Sequence, residues 1–339
     1  MNILFRCDGS IEIGLGHVVR CLALANELKV THGCKIFFAM RESELGIKRV
    51  KELYTVYQTD EKIFDYKEWV IDCINKTEAQ IFIMDMRDLL TREELKHIKK
   101  KTGIKVVTID DPEDKRLESD LAFYPPIPQI EKMNWLGFDG KLCVGWDYVI
   151  LRKEFAITYP KPKNRIPHIL VTMGGTDEKN LTSFVIQVLD ELDEKFKVAI
   201  ITGSGYQFTN ELKNILKFVK YRYELFQDPH KIAEIMSSVD LAIISFGVTA
   251  YELASLNIPA LYLCLSPDHE ESSRLFEEEG IGKTLGVFSG IEKEKYVQEL
   301  SSIIWKQKKI DSMSERFSSI KISNLQKIST TIMNQIVCR

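Results

Sequence analysis

The chain has 339 residues, 45% hydrophobic and 28% charged, with a formal net charge of −3. That length favours two domains over one, and each half can bury its own core. The near-neutral balance carries no global basic field, so nucleic acid is not the expected partner.

The first elements alternate between strand and helix. "NILF" reads as a short buried strand, and "HVVRCLALANELKV" has helical periodicity with Val18, Leu22, Ala25 and Leu28 on one face. A strand "KIFFAM", a helix over Glu44–Leu53 and an amphipathic stretch "YKEWVIDCINK" follow. Next come a strand "IFIMDM" and a helix "TREELKHIKKK". Thr91 and Glu94 have the spacing of a capping box at the start of that helix. "KVVTID" is a further strand. The proline-rich "YPKPKNRIP" reads as an extended linker, because proline disfavours helix in the residue before it.

The pattern then restarts. "HILVTMGG", "KVAIITG", "LAIISF" and "ALYLCL" read as strands. "KNLTSFVIQVLDEL", "NELKNILKFVK", "TAYELASLN" and "EESSRLFEEEG" read as the helices between and after them, and residues from about Glu292 onward are mostly helical. Strand–helix alternation with apolar strands means parallel sheets covered on both faces. The expected fold is α/β, with two doubly wound Rossmann-like domains facing a cleft. The expected boundaries are 1–157 and 158–320, with 321–339 as a C-terminal helix returning to the first domain. Ligand is expected at the carboxyl ends of the strands.

The seven cysteines include no C-x-x-C pair. They suit reduced thiols in a cytoplasmic protein. No apolar run approaches the ~20 residues of a membrane span, and Arg6 and Asp8 interrupt any signal-peptide core. No H-E-x-x-H or clustered Cys/His spacing marks a metal site, so neither metal nor cofactor is expected.

Three stretches carry chemistry. In "RCDGSIEIGLGHVVR", Gly14 and Gly16 follow a strand and precede a helix, where free N–H groups and the helix dipole favour anions. His17 stands at the helix start. It is either a cap or surface residue, or an acid/base, since imidazole titrates near ~6.5. A dinucleotide site with Arg41 and Glu42 on the ribose is the other reading of this loop, but valine stands where the third glycine of G-x-G-x-x-G belongs. In "VTMGGTDEKN", Gly174, Gly175 and Thr176 can hold a diphosphate with backbone N–H groups and a hydroxyl. Equally, the stretch is a tight turn with Asp177 capping the next helix. In "ISFGVTAYELASLNIPALYL", Gly247 and Thr249 lie between strand and helix, and Glu252 is expected in the first helical turn. There it either accepts hydrogen bonds from ribose hydroxyls or complements the helix dipole.

Taken in order, "RCDGSIEIGLGHVVRCLALA", "VGWDYVILRKEF", "MGGTDEKNLT" and "FGVTAYELASLNIPAL" resemble the UDP-sugar hydrolase family of pseudaminic acid biosynthesis and its SpsG-like spore-polysaccharide relatives. The resemblance runs over most of the chain. It implies the GT-B fold and hydrolysis of a UDP-linked 2,4-diacetamido-2,4,6-trideoxyhexose. It also implies His17 at the anomeric centre, Gly174, Gly175 and Thr176 on the diphosphate, and Glu252 on the ribose. Arg6, Asp8, Arg20, Asp85, Arg87, Gly247, Thr249, Asp268 and His269 are the further candidate substrate-binding residues. The chain departs from the family pattern twice. Asp85-Met86-Arg87 stands for Asp-His-Tyr, and Asp268-His269 for Asn-Gln. A GT-B glycosyltransferase using a UDP-sugar donor and a non-catalytic nucleotide-sugar-binding subunit are the competing readings.

Overall fold

A computed structural model describes residues 1–9, 15–41, 44–59, 65–86, 90–160, 166–193, 195–290, 293–304, 306–317, 320, 322 and 325–337. It divides into two compact units, one comprising Met1–Arg152 and Ser323–Arg339 and the other Lys153–Ile322.

The first unit runs β1 (Asn2–Cys7), α1 (Gly16–His32), β2 (Lys35–Arg41), α2 (Glu44–Lys51), β3 (Thr55–Thr59), α3 (Tyr66–Thr77), β4 (Ile81–Asp85), α4 (Arg92–Thr102), β5 (Lys105–Ile109), β6 (Leu121–Tyr124), α5 (Gln129–Lys132) and β7 (Lys141–Val144). The second runs β8 (His168–Thr172), α6 (Leu181–Asp190), β9 (Lys197–Thr202), α7 (Thr209–Leu216), β10 (Arg222–Gln227), α8 (Ile232–Ser237), β11 (Leu241–Ile244), α9 (Val248–Ser255), β12 (Ala260–Cys264), α10 (Pro267–Glu278), β13 (Gly282–Val287), α11 (Lys293–Ile304) and α12 (Gln307–Arg316). A last helix, α13 (Leu325–Val337), belongs to the first unit.

The first sheet has the order β3-β2-β1-β4-β5-β6-β7 and the second β10-β9-β8-β11-β12-β13. Every pairing is parallel. In each sheet the strand order reverses beside the first strand of the unit, between β1 and β4 and between β8 and β11. Those two switch points are where an open α/β sheet leaves a crevice at its carboxyl edge.

β1 is covered on both faces. Ile3, Phe5 and Cys7 pack with Val18, Cys21, Leu24, Ala25 and Leu28 of α1. Leu4 points the other way, among Val70, Ile71 and Ile74 of α3 and Leu95 and Ile98 of α4. The Thr91–Glu94 capping box forms, with the Thr91 N–H donating to Glu94 Oε2 at 2.8 Å and the Glu94 N–H to Thr91 Oγ1 at 3.3 Å. α13 seats Ile328 and Ile332, both fully buried, in the cluster that contains α1. Burying two such side chains contributes ~3–6 kcal/mol, and His32 Nε2 meets Ser329 Oγ at 3.0 Å beside them. No helix among the described residues is long and apolar enough to cross a membrane.

Candidate active site

At the first switch point, β4 ends in Asp85, whose side chain is 0% exposed. α1 starts at Gly16 and presents His17 and Arg20, one helical turn apart, to that carboxylate. His17 Nδ1 lies 2.8 Å from Asp85 Oδ1. Arg20 grips the same carboxylate with two prongs, Nε to Oδ2 at 2.7 Å and Nη2 to Oδ1 at 2.5 Å. Burial alone would push the Asp85 carboxyl up. The Arg20 guanidinium and the His17 ring outweigh that and hold it at about 2. Burial likewise works against the charge on Arg20, and Asp85 and Asp110 more than offset it, so its pKa is raised.

An ionised carboxylate only accepts hydrogen bonds, so Nδ1 of neutral His17 carries the proton and Nε2 carries the lone pair. Nε2 has no protein partner among the described residues, and the ring is 32% exposed. Among the described residues nothing lies within 4 Å of a Cβ built on Gly16, so none of them requires glycine there.

Arg6 and Asp8 tie together the ends of β1 and β2. Arg6 is fully buried and holds both Asp8 oxygens at 2.7 Å, while its Nε donates to Tyr66 Oη at 2.7 Å. Asp8 Oδ1 also accepts the Arg41 N–H at 2.7 Å, pinning the end of β1 to the end of β2. Met86, directly after Asp85, is 7% exposed with its Sδ 4.0 Å from Tyr66 Oη. Gly14, Glu42 and Arg87 lie outside the described residues.

At the second switch point, Gly174 adopts φ +84, a conformation open to glycine at little cost. A Cβ there would sit 3.9 Å from Ser245 Oγ, so the loops after β8 and β11 adjoin. Gly175 is exposed and unobstructed, and Thr176 is half-buried. Asp177 is buried, and its carboxylate accepts the Leu181 and Thr182 N–H groups at 2.7 and 2.8 Å. It therefore caps α6, and those two donors are taken. Burial pushes its carboxyl up.

α9 differs. Gly247 is its N-cap residue and supplies no side chain. The Val248 and Thr249 N–H groups donate to no protein group among the described residues. Glu252 was expected in the first turn. The helix begins at Val248, which makes Glu252 its fifth residue, buried at 8% exposure and beyond reach of a first-turn dipole role. Asp268 and His269 lie in the first turn of α10, where Ser266 Oγ accepts the His269 N–H at 3.2 Å. The imidazole packs 6.1 Å from the Phe246 ring.

Sequence reading passed over two glycines of this site. A Cβ on Gly203 would fall 2.4 Å from the Gly175 carbonyl oxygen, and one on Gly205 2.8 Å from Thr176 Cγ2. The Gly205 N–H donates to that carbonyl at 3.1 Å. The signal was the Gly-x-Gly closing "ITGSG", a second glycine pair after a strand. Asp110 beside Arg20 was also passed over; its only mark was its place at the end of β5. Among the described residues, no group of three or more His, Cys, Asp or Glu side chains is arranged to hold a metal.

Solved structures of like fold include MurG of Acinetobacter baumannii, with TM-score 0.74 and 15% identity over 98% of this chain and 99% of that one. Another is Staphylococcus aureus MnaA in a UDP co-structure, with TM-score 0.67 and 13% identity over 100% and 97%. The chain has the GT-B fold of two doubly wound units. No family model matches it. Among curated proteins, an uncharacterised one of Methanocaldococcus jannaschii is 30% identical over 275 residues, 78% of this chain. The chain spans only 55% of that relative's length. The Bacillus subtilis spore coat polysaccharide biosynthesis protein SpsG is 26% identical over 90% of this chain and 89% of its own. The UDP-2,4-diacetamido-2,4,6-trideoxy-beta-L-altropyranose hydrolase of Campylobacter jejuni is 28% identical over 83% and 97%. The chain is similar to these last two proteins over most of its length and theirs.

Proposed function

We propose that this chain is a UDP-sugar hydrolase, releasing UDP and a free amino-deoxy sugar for nonulosonic acid or surface polysaccharide synthesis. The observation that carries the reading is the Arg20-held Asp85 carboxylate on His17 Nδ1, which leaves Nε2 as a base open to solvent. Water attacks the anomeric carbon and His17 Nε2 takes its proton. The bond from that carbon to the diphosphate oxygen breaks, UDP leaves with the electron pair, and configuration inverts. Asp85 keeps the ring in the reactive tautomer and stabilises the imidazolium that forms. Arg6, Asp8 and Arg20 then act as positioning residues.

We assign the diphosphate to the Gly174–Thr176 turn and the N-terminus of α9, where unpaired N–H groups and the dipole favour anions. Asp177 removes the start of α6 from that duty. Backbone donors aimed at the departing diphosphate stabilise charge that develops in the transition state, with no metal required. Glu252 is assigned to the ribose, and Gly247, Thr249, Asp268 and His269 to its surroundings. The six described cysteines are unpaired and buried, which supports a place in the cytoplasm.

The likeness to MurG favours a glycosyltransferase as the second reading. Incubating pure protein with a panel of UDP-sugars and following UDP separates the two. Release without an acceptor supports the hydrolase, and release only with an acceptor alcohol supports the transferase. His17→Asn should slow release ~10²–10⁴-fold with UDP affinity unchanged. Near-normal turnover in that variant removes His17 as the base.

A further inference from the structure

One carboxylate beside the site has no part in the reaction as written. Asp110 follows β5 with φ +53, in the left-handed region that Asp and Asn tolerate best among residues other than glycine. Its N–H still closes the sheet by donating to the Phe123 carbonyl at 2.8 Å. Its side chain, 34% exposed, turns to Arg20, with Oδ2 3.3 Å from Nη1. Arg20 thus stands between two carboxylates, and its Nη2 also lies 3.5 Å from His17 Nδ1.

The charges can be counted. With His17 neutral, Asp85, Asp110 and Arg20 sum to one net negative charge, and a proton on His17 brings the four groups to neutrality. Without Asp110 the same step would leave one net positive charge, with an imidazolium against a guanidinium. Arg20 is needed to hold Asp85, yet its charge opposes the protonation that the reaction requires. We propose that Asp110 is a positioning residue that balances Arg20, so that the field of Asp85 remains effective on His17 during proton uptake. This rests on His17 being the base. Asp110 is close enough to act electrostatically and only partly exposed, so its effect is damped by water but not abolished.

The test is a double-mutant cycle read by steady-state UDP release. Asn suits φ +53 and can still accept from Arg20, so Asp110→Asn removes charge and little else. It should lower kcat ~3–10-fold, with KM and UDP affinity within ~2-fold. In an Arg20→Gln background no charge needs balancing, and the same substitution should cost less than ~2-fold. In an Arg20→Lys background the cost should persist. Equal cost in all backgrounds overturns the proposal. So does a rise in KM at unchanged kcat, which would make Asp110 a substrate ligand. The split between kcat and KM in Asp110→Asn alone decides the matter if Arg20→Gln does not fold. His17→Asn assayed alongside keeps the two ideas apart. Normal turnover there defeats the base assignment, whereas slow turnover with an additive cycle defeats only the role of Asp110.

Discussion

Replacing Asp85 by Asn changes one oxygen to an amide nitrogen in a fully buried position. The amide oxygen, at the Oδ2 position, still accepts from Arg20 Nε, while the NH2 at the Oδ1 position faces His17 Nδ1 and the Nη2 hydrogen bond is lost. Nδ1 must then accept, and the imidazole proton moves to Nε2. The ring remains in place as the wrong tautomer, with no lone pair facing the solvent. Loss of general-base help alone predicts kcat down ~10²–10⁴-fold. UDP affinity should stay within ~2-fold, because the nucleotide is assigned to the second unit. Stability should fall as well. The gap between about 2 in the folded chain and the ordinary ~3.9 corresponds to ~2–3 kcal/mol at neutral pH. The sign follows from a depressed carboxylate pKa. The contribution is complete above ~4 and is lost as pH falls through about 2. Urea unfolding of wild type and variant at pH 7, 5 and 3 should show the difference shrinking only at the lowest value. Single-turnover UDP release and calorimetric UDP titration complete the assay. Undiminished kcat refutes the tautomer argument, and UDP affinity falling in step with kcat refutes the division of labour between the units.

Gly175→Ala and Gly203→Ala form a contrasting pair. The first adds a Cβ to open space and should weaken UDP binding with Tm nearly unchanged, while the second drives a Cβ to 2.4 Å from the Gly175 oxygen and should lower both. A thermal melt and a UDP titration of each variant check this, and equal Tm values would contradict it. Glu252→Ala should weaken UDP binding by ~1.5–3 kcal/mol while leaving kcat at saturation little changed, since ribose contacts persist from ground to transition state. Unchanged UDP affinity in the folded variant removes Glu252 from the site. Asp177→Ala should cost ~1–2 kcal/mol of stability through the lost α6 cap, measured by urea unfolding. EDTA should leave UDP release unaffected, and activity restored by Mg²⁺ or Mn²⁺ after such treatment would refute backbone-only stabilisation of the diphosphate.

The interior strands were legible because they are buried on both faces and read as apolar runs. β1, β2, β4 and β5 of the first sheet, and β8, β9, β11 and β12 of the second, all match strand-like stretches of the sequence. All four edge strands were passed over. β3, β7, β10 and β13 each pair on one side only; "TVYQT", "KLCV" and "RYELFQ" carry exposed positions, and "GKTLGV" is only partly covered and broken by polar residues and glycine. β6 was passed over for a different reason. It is buried but only four residues long, and Pro125 and Pro126 follow it at once.

The same physics limits what the sequence says about the site. His17 is visible locally because a glycine loop and a helix start flank it. Its proposed function depends on Asp85, 68 positions away, and the two meet only because β1 and β4 are neighbours at the switch point. An aspartate closing an apolar strand is ordinary in a sequence. In the structure parallel pairing sets Cys7 opposite Asp85, and the start of α1 presents His17 and Arg20 to that carboxylate. Asp110 is a further strand along, beyond β4, and reaches the network only through Arg20. Motif reading therefore finds the candidate base, whereas the groups proposed to set its tautomer and balance its charge emerge from strand order.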